Sequence, residues 1–380
     1  MNDKMNIKTS GFKCDRNAWK TVRLGEILKV CHGQNQHEIE VANGKYPILG
    51  TGGEIGRTNH FLCNEPSVLI GRKGTIDEPQ YMETPFWTID TLFYTHIADA
   101  YIPKYIYYLF CTIDWSRMNE ASGVPSLSAK TIENLEVCVV ERKQQEMIVA
   151  ALSSIDTQIS VTKNLLSKYK SIKKATVKML MTPTAEWQEA TLGDFYTVSS
   201  GLSKGAEFFG SGYPFLSFVT VFNNPIIPDR LDNLVESSAY ERKQCSVRRG
   251  DIFLTRTSET LDELGMSSVA LQDYPDATFN GFTKRLRPIE GIPLCPEFMA
   301  FYLRTENFRK SICQKASITT RASLNKDTIE KLVIAYPIPS VQHEIAKNLM
   351  TMDKQRMILV EELDKLKQLK QSMLQYFFGD

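Results

Sequence analysis

The sequence has little from which a catalytic or metal centre is assembled. Its five histidines, at 32, 37, 60, 96 and 343, show no ligand spacing. Its eight cysteines stand singly at 14, 31, 63, 111, 138, 245, 295 and 313, and none forms Cys-x-x-Cys. That excludes a zinc ribbon and gives no sign of a disulfide framework. No apolar run approaches the roughly 18 residues that a membrane span needs. The start, Met1-Asn2-Asp3-Lys4-Met5, lacks the apolar stretch of a secretion signal. A reduced, cytoplasmic chain without membrane association is expected. An excess of positive charge is also missing: 45 Lys and Arg face 44 Asp and Glu, a net +1. Residues 19–140 carry a net −4 and residues 182–339 a net −2, while residues 141–181 carry +5. A chain that binds nucleic acid on its own usually shows more positive charge on its reading domains.

What the chain does have is a repeat. Trp19-Lys20-Thr21-Val22-Arg23-Leu24-Gly25-Glu26 returns as Trp187-Gln188-Glu189-Ala190-Thr191-Leu192-Gly193-Asp194, 168 positions on. Leu127-Ser128-Ala129-Lys130-Thr131-Ile132-Glu133-Asn134-Leu135 returns as Leu324-Asn325-Lys326-Asp327-Thr328-Ile329-Glu330-Lys331-Leu332, 197 positions on. Two copies of one unit can present a pseudo-two-fold surface, and duplex DNA is the commonest partner with a two-fold of its own. At 380 residues the chain suits two or three domains.

Each copy runs in one order. The Trp opening reads as a short strand feeding a helical turn. A Gly- and aromatic-rich β region follows, with strands at Tyr46–Leu49 and Pro66–Gly71 in copy one and at Tyr213–Leu216 and Gly250–Leu254 in copy two. A helix then starts near Pro103 or Pro296, where the missing N–H costs nothing. The Leu127 and Leu324 motifs lead to short strands, Leu135–Val140 and Leu332–Tyr336. The copies differ by 29 residues, of which 25 fall before the Pro-started helix, so the β region varies and the frame around it is kept.

Two Pro-free and Gly-free amphipathic stretches close the copies, Gln144–Met181 and Val341–Phe378. A 3-4 spacing puts Ile148, Leu152, Ile155, Ile159, Thr162, Leu166, Tyr169, Lys173, Thr176 and Leu180 on one seam. The equivalent seam holds Ile345, Leu349, Met352, Arg356, Leu359, Leu363, Leu366, Lys370, Met373 and Phe377. Each helix would run about 57 Å at about 1.5 Å per residue. Thr182-Pro183 stops the first, and Ser340 is a candidate N-cap for the second. Stripes of that length have each other as partners, the alternative being two helices each packed on its own domain. A whole domain separates them, so either direction is open, and an antiparallel pair is the one that makes the two copies equivalent about a two-fold axis.

Three motifs imitate chemistry. Phe208-Phe209-Gly210-Ser211-Gly212 has the Phe-x-Gly-x-Gly form of methyl-donor binding, but no buried strand precedes it and no Asn/Asp-Pro-Pro-aromatic tetrad occurs in the chain. Glu141-Arg142-Lys143 has the Glu-x-Lys form of a nuclease, yet copy two reads Ile338-Pro339-Ser340 there, so a solvated helix start is favoured. Gly50, Gly52, Gly53 and Gly56 suggest a phosphate loop without its Lys-Ser/Thr, and turn formation is favoured.

The whole arrangement resembles the specificity subunit of type I restriction-modification enzymes, from about residue 19 to 380. The marks are the repeated Trp-x-x-x-x-Leu-Gly opening, Gly71-Arg72-Lys73-Gly74 before Phe86-Trp87-Thr88-Ile89-Asp90-Thr91, and Gly250-Asp251-Ile252-Phe253-Leu254-Thr255-Arg256. The Pro337-Ile338-Pro339-Ser340-Val341-Gln342 helix start is another; copy one lacks its prolines but keeps Gln145. The resemblance implies a mixed α/β (α+β) fold with two target-recognition domains, joined by two long helices in an antiparallel coiled coil. The expected division is an N-terminal extension at 1–18, domains at 19–143 and 184–340, and spacer helices at 144–183 and 341–380. It implies a non-catalytic subunit that reads an asymmetric bipartite site in double-stranded DNA. Two methyltransferase subunits, and restriction or translocase subunits in a full complex, would dock on it. S-adenosylmethionine, ATP and Mg would belong to those partners, with no cofactor in this chain. A coiled-coil scaffold with two protein-binding heads and no DNA role is the alternative.

Base edges in the major groove are read by Arg, Lys, Asn, Gln, Ser and Thr. In copy one the candidates are Arg57, Thr58 and Asn59 after the Gly cluster, and Arg72 and Lys73 between two glycines. In copy two they are Arg256 and Thr257 at the equivalent strand end, Lys284 and Arg285, and Arg321. Arg248-Arg249 suits a phosphate contact or a solvated turn before Gly250. The candidate helix interface is Ile148, Leu152, Ile155, Ile159 and Leu166 against Ile345, Leu349, Met352, Leu359, Leu363 and Leu366.

Overall fold

The computed structural model describes residues 19–318 and 322–379. The expected N-terminal extension, 1–18, lies outside the described residues, as does Arg321. The chain divides into two units, Met1–Asn164 with Glu361–Asp380, and Leu165–Val360. The boundary falls inside both long helices, so each unit owns a segment of each.

In unit 1 an antiparallel sheet runs in the order Leu28–Cys31, Leu92–Ile97, Ser67–Gly71, Gln80–Met82. A second sheet holds Gly53–Thr58, Tyr46–Gly50 and Trp87–Thr88, the last two parallel. The glycines at 50–53 form the hairpin turn between its first two strands, which settles the phosphate-loop lookalike. The strand Lys20–Arg23 pairs antiparallel with Glu136–Val139. The helix Pro103–Phe110 has Pro at its first turn, as its sequence requires.

Unit 2 repeats this plan. Tyr196–Ser200, Thr283–Pro288, Ile252–Thr255 and Ser267–Val269 form the four-stranded sheet. Leu234–Val235, Phe209–Leu216 and Thr278–Phe279 form the second sheet, and Gln188–Thr191 pairs with Val333–Tyr336. Phe209–Gly212 lie in a bulged strand, which leaves no methyl-donor loop there. Unit 2 adds a small sheet of Thr257–Ser258, Ala322–Ser323 and Ser317–Ile318.

The repeated motifs persist because they hold each other. Leu24 N–H donates to Leu135 O at 2.9 Å, and Leu192 N–H donates to Leu332 O at 2.8 Å. A Cβ on Gly25 would come within 3.1 Å of Glu133, and one on Gly193 within 3.0 Å of Glu330. Glycine is the residue that lets the two motifs close on one another. Gln145 and Gln342 do the same for the helices. Gln145 is 1% exposed; its Oε1 accepts from Ile102 N–H at 2.9 Å and its Nε2 donates to Val140 O at 2.8 Å. Gln342 is fully buried, accepts from Cys295 N–H at 2.8 Å and donates to Pro337 O at 2.7 Å. Each glutamine thus pins the start of the Pro-led helix to the first turns of a long helix.

The long helices run Arg142–Leu180 and Pro339–Phe378. Both begin two residues before the sequence suggested. Ser340 is therefore inside the first turn, not an N-cap: proline at the first helical position needs no N–H partner and is already shaped for the helix. In unit 1, Ile148 and Leu152 share a core with Leu374 and Phe377, and Asp156 binds Lys370 at 2.6 Å. In unit 2, Tyr169 donates to Gln355 at 2.8 Å and Lys173 pairs with Asp353. Within each unit the two segments are antiparallel. Along the first helix every seam residue is buried or half-buried; along the second all are except Arg356, which is exposed.

Candidate nucleic-acid interface

Arg72 and Arg256 occupy one position of the common fold. Arg72 follows the strand Ser67–Gly71, takes Thr91 O with its N–H at 2.8 Å, and offers its carbonyl to Leu127 N–H at 3.0 Å. Arg256 follows Ile252–Thr255, takes Phe282 O at 3.0 Å, and offers its carbonyl to Leu324 N–H at 2.9 Å. Leu127 and Leu324 open the repeated motif, so the frame shared by the two copies presents both arginines on loops that differ between them. In unit 1 the loop turns at Gly74, whose φ of +92° disfavours a side chain, and Gly74 N–H donates to Pro125 O. Lys73 pairs by its backbone with Ser126, as Thr257 does with Ser323.

The arginines differ in surroundings. Arg72 is half-buried and its Nη1 donates to Asp90 O at 3.2 Å. Lys73 is exposed. Arg256 packs over the Phe282 ring at 5.9 Å, and its buried Nε has no hydrogen-bond partner. Thr257 is half-buried beside it. Lys284 donates to Ser200 Oγ at 2.7 Å; burial, and then the charge of Arg256, push its pKa below the ordinary lysine value. Two cations held this close are relieved by an incoming polyanion.

The other candidates are placed differently. Arg57 is engaged with Glu54 at 2.9 Å and with Gly44 O at 3.2 Å, though it stays partly exposed. Thr58 is a correction: it is fully buried and its Oγ1 accepts from His60 N–H, so it has no surface for a base. A strand residue facing inward beside an outward Arg57 follows from the two-residue period. Asn59 is exposed and accepts from Lys45 N–H at 3.1 Å, which braces a turn. Arg285 is a second correction. It is 7% exposed, donates to Gln244 O and Ser246 O, and lies over Phe279 at 5.3 Å. Strand alternation turns it to the face opposite Lys284, where burial and then Arg287 lower its pKa. Arg249 is committed to Glu297 at 2.5 Å, while Arg248 is exposed. Among the described residues no group of three or more His, Cys, Asp or Glu is placed to hold a metal ion.

Residues the sequence did not single out also lie here. Phe282 is 57% exposed, and Phe218 and Phe222 stack with ring centres 6.1 Å apart. No spacing rule separates such aromatics from core ones.

A family model described as the type I restriction modification DNA specificity domain matches residues 17–170 and again 184–371. The two matches coincide with the two copies of the repeat. The chain belongs to this family. It is 20% identical to the MjaVIII type I restriction enzyme specificity subunit of Methanocaldococcus jannaschii, over 94% of this chain and 91% of that one. It is 22% identical to the EcoDI specificity subunit of Escherichia coli, over 45% and 40%. Its fold is similar to the crystal structure of the type I restriction-modification S subunit from M. genitalium, with a TM-score of 0.66 and 15% identity over 97% and 98% of the chains. A structure concerned with complex assembly and conformational transition of the type I system gives a TM-score of 0.56 and 14% identity over 96% and 98%. As a type I specificity subunit this chain recognises DNA sequence and is non-catalytic, the catalytic activity lying in partner subunits.

Proposed function

We propose that this specificity subunit reads an asymmetric, split duplex site, one half by each unit, through the loops that carry Arg72 and Arg256. The observation that carries this is their equivalence: one frame holds both arginines, and the loops around them differ in residues and length. Arg72 with Lys73 suits the paired acceptors of guanine, while Arg256 and Lys284 combine a base reader with a phosphate contact. Near-neutral charge fits a reader whose partners supply much of the phosphate contact. Two methyltransferase subunits, with restriction or translocase subunits in a full complex, would hold S-adenosylmethionine, ATP and Mg.

Docking of a partner helix is supported by a second stripe on the first long helix. Leu165, Ile172 and Met179, spaced by seven residues, are all exposed in unit 2. A scaffold without a DNA role would use such a stripe too, but it gives no reason for equivalent arginines on the corresponding loops of both units. The test is methylome sequencing of cells with and without the chain. A split motif should vanish with the chain; an unchanged methylome would refute the reading.

A further inference from the structure

We propose that a pocket beside Arg256 reads an amino-bearing base, cytosine or adenine, in the half-site taken by unit 2. The inference rests on the DNA-reading role proposed above and adds the chemistry of one contact. The pocket holds about 340 Å³ and is lined by Phe218, Phe222, Phe282, Thr257, Ser258 and Glu263. It opens on the loop after Ile252–Thr255, where the frame also places Arg256.

Its chemistry selects a base edge over the backbone. Glu263 is exposed on a short 3-10 turn, Leu261–Glu263, and accepts from Ser258 Oγ at 3.4 Å. Carboxylates repel phosphate, so on a DNA-facing surface they are tolerated where they accept an N–H from a base. In the major groove those donors are cytosine N4 and adenine N6. The three phenylalanines offer flat apolar surface to the neighbouring pyrimidine face or methyl group. Arg256, half-buried, lies against Phe282 at the edge of the same loop and would turn its guanidinium to an acceptor on the adjoining base.

The experiment uses the chain assembled with its methyltransferase subunits and a pool of duplex DNA randomised through the site. Bound duplexes are sequenced for the wild type, Glu263→Gln and Phe282→Ala. Glu263→Gln keeps the shape and adds a donor, so preference for cytosine or adenine should fall roughly tenfold at one position of one half-site. The other half-site should stay as in the wild type, because the substitution lies in unit 2 alone. Phe282→Ala should weaken selection at the same or the adjacent position. An unchanged profile for Glu263→Gln, or a uniform loss across both half-sites, overturns the proposal. Absence of any motif for the wild type overturns the DNA-reading role itself, a distinct result.

Discussion

Gln145 and Gln342 are the side chains whose loss should cost most for their size. Each is buried, and truncation leaves a backbone N–H and at least one carbonyl without partners. Gln342→Ala should lower stability by about 3 kcal/mol, the penalty for orphaning such groups, as measured by denaturant unfolding. A change below about 0.5 kcal/mol would mean that water replaces the amide. Charge reversal tests the proposed readers at the same scale: Arg72→Glu or Arg256→Glu should abolish selection in one half-site each, by the DNA selection described above. Glu241 provides a pH marker. A hydrogen bond from the Ser238 backbone N–H, then one from Lys204 at 3.0 Å and one from the Ser238 hydroxyl, hold its carboxyl at about 2. Because the folded value is depressed, the cap contributes fully above the ordinary carboxylate range and is lost as pH falls towards 2. An NMR titration should place Glu241 near 2, and Ser238→Ala should move it back up; a midpoint above 4 in the parent would contradict the geometry.

At the scale of elements, the ion pairs between the long helices carry the antiparallel sense. Asp156 and Lys173 lie on the first helix, and Asp353 and Lys370 are their counterparts 197 residues on. Each aspartate meets the lysine of the other helix, Asp156 with Lys370 beside the Tyr107 and Tyr108 rings, and Asp353 with Lys173 beside Phe301. In a parallel pairing in register, like charges would face each other. Asp156→Lys should therefore destabilise by about 1–2 kcal/mol, between surface and buried pairs, and Lys370→Asp added to it should restore most of that loss. Thermal unfolding of the two single variants and the double variant measures it; equal losses that simply add would remove the pairing role. The apolar seam was legible because a 3-4 stripe is a local property. Arg356 shows the limit: the same spacing puts it on the stripe, yet it is exposed, since a long charged side chain swings its head into water.

For the whole molecule, we propose that the two long helices set the distance between the half-sites, so inserting one heptad in only one of them should alter or abolish the half-site spacing. Selection that returns the parent spacing would count against that role. Exchange of one β region alone should change one half of the motif and leave the other. The repeat, the Pro-started helices, the short strands and the helix seams were set by the sequence itself, because each follows from spacing along a single segment. Glycines and strand ends likewise marked the loops on which Arg72 and Arg256 sit. Tertiary structure decided the rest. It buried Thr58 and Arg285, placed Phe282 and Glu263 at one pocket, and showed that the two repeated motifs pack on each other. Those outcomes depend on which distant segments meet, and a linear pattern carries period and propensity but not the partner on the other side of a contact.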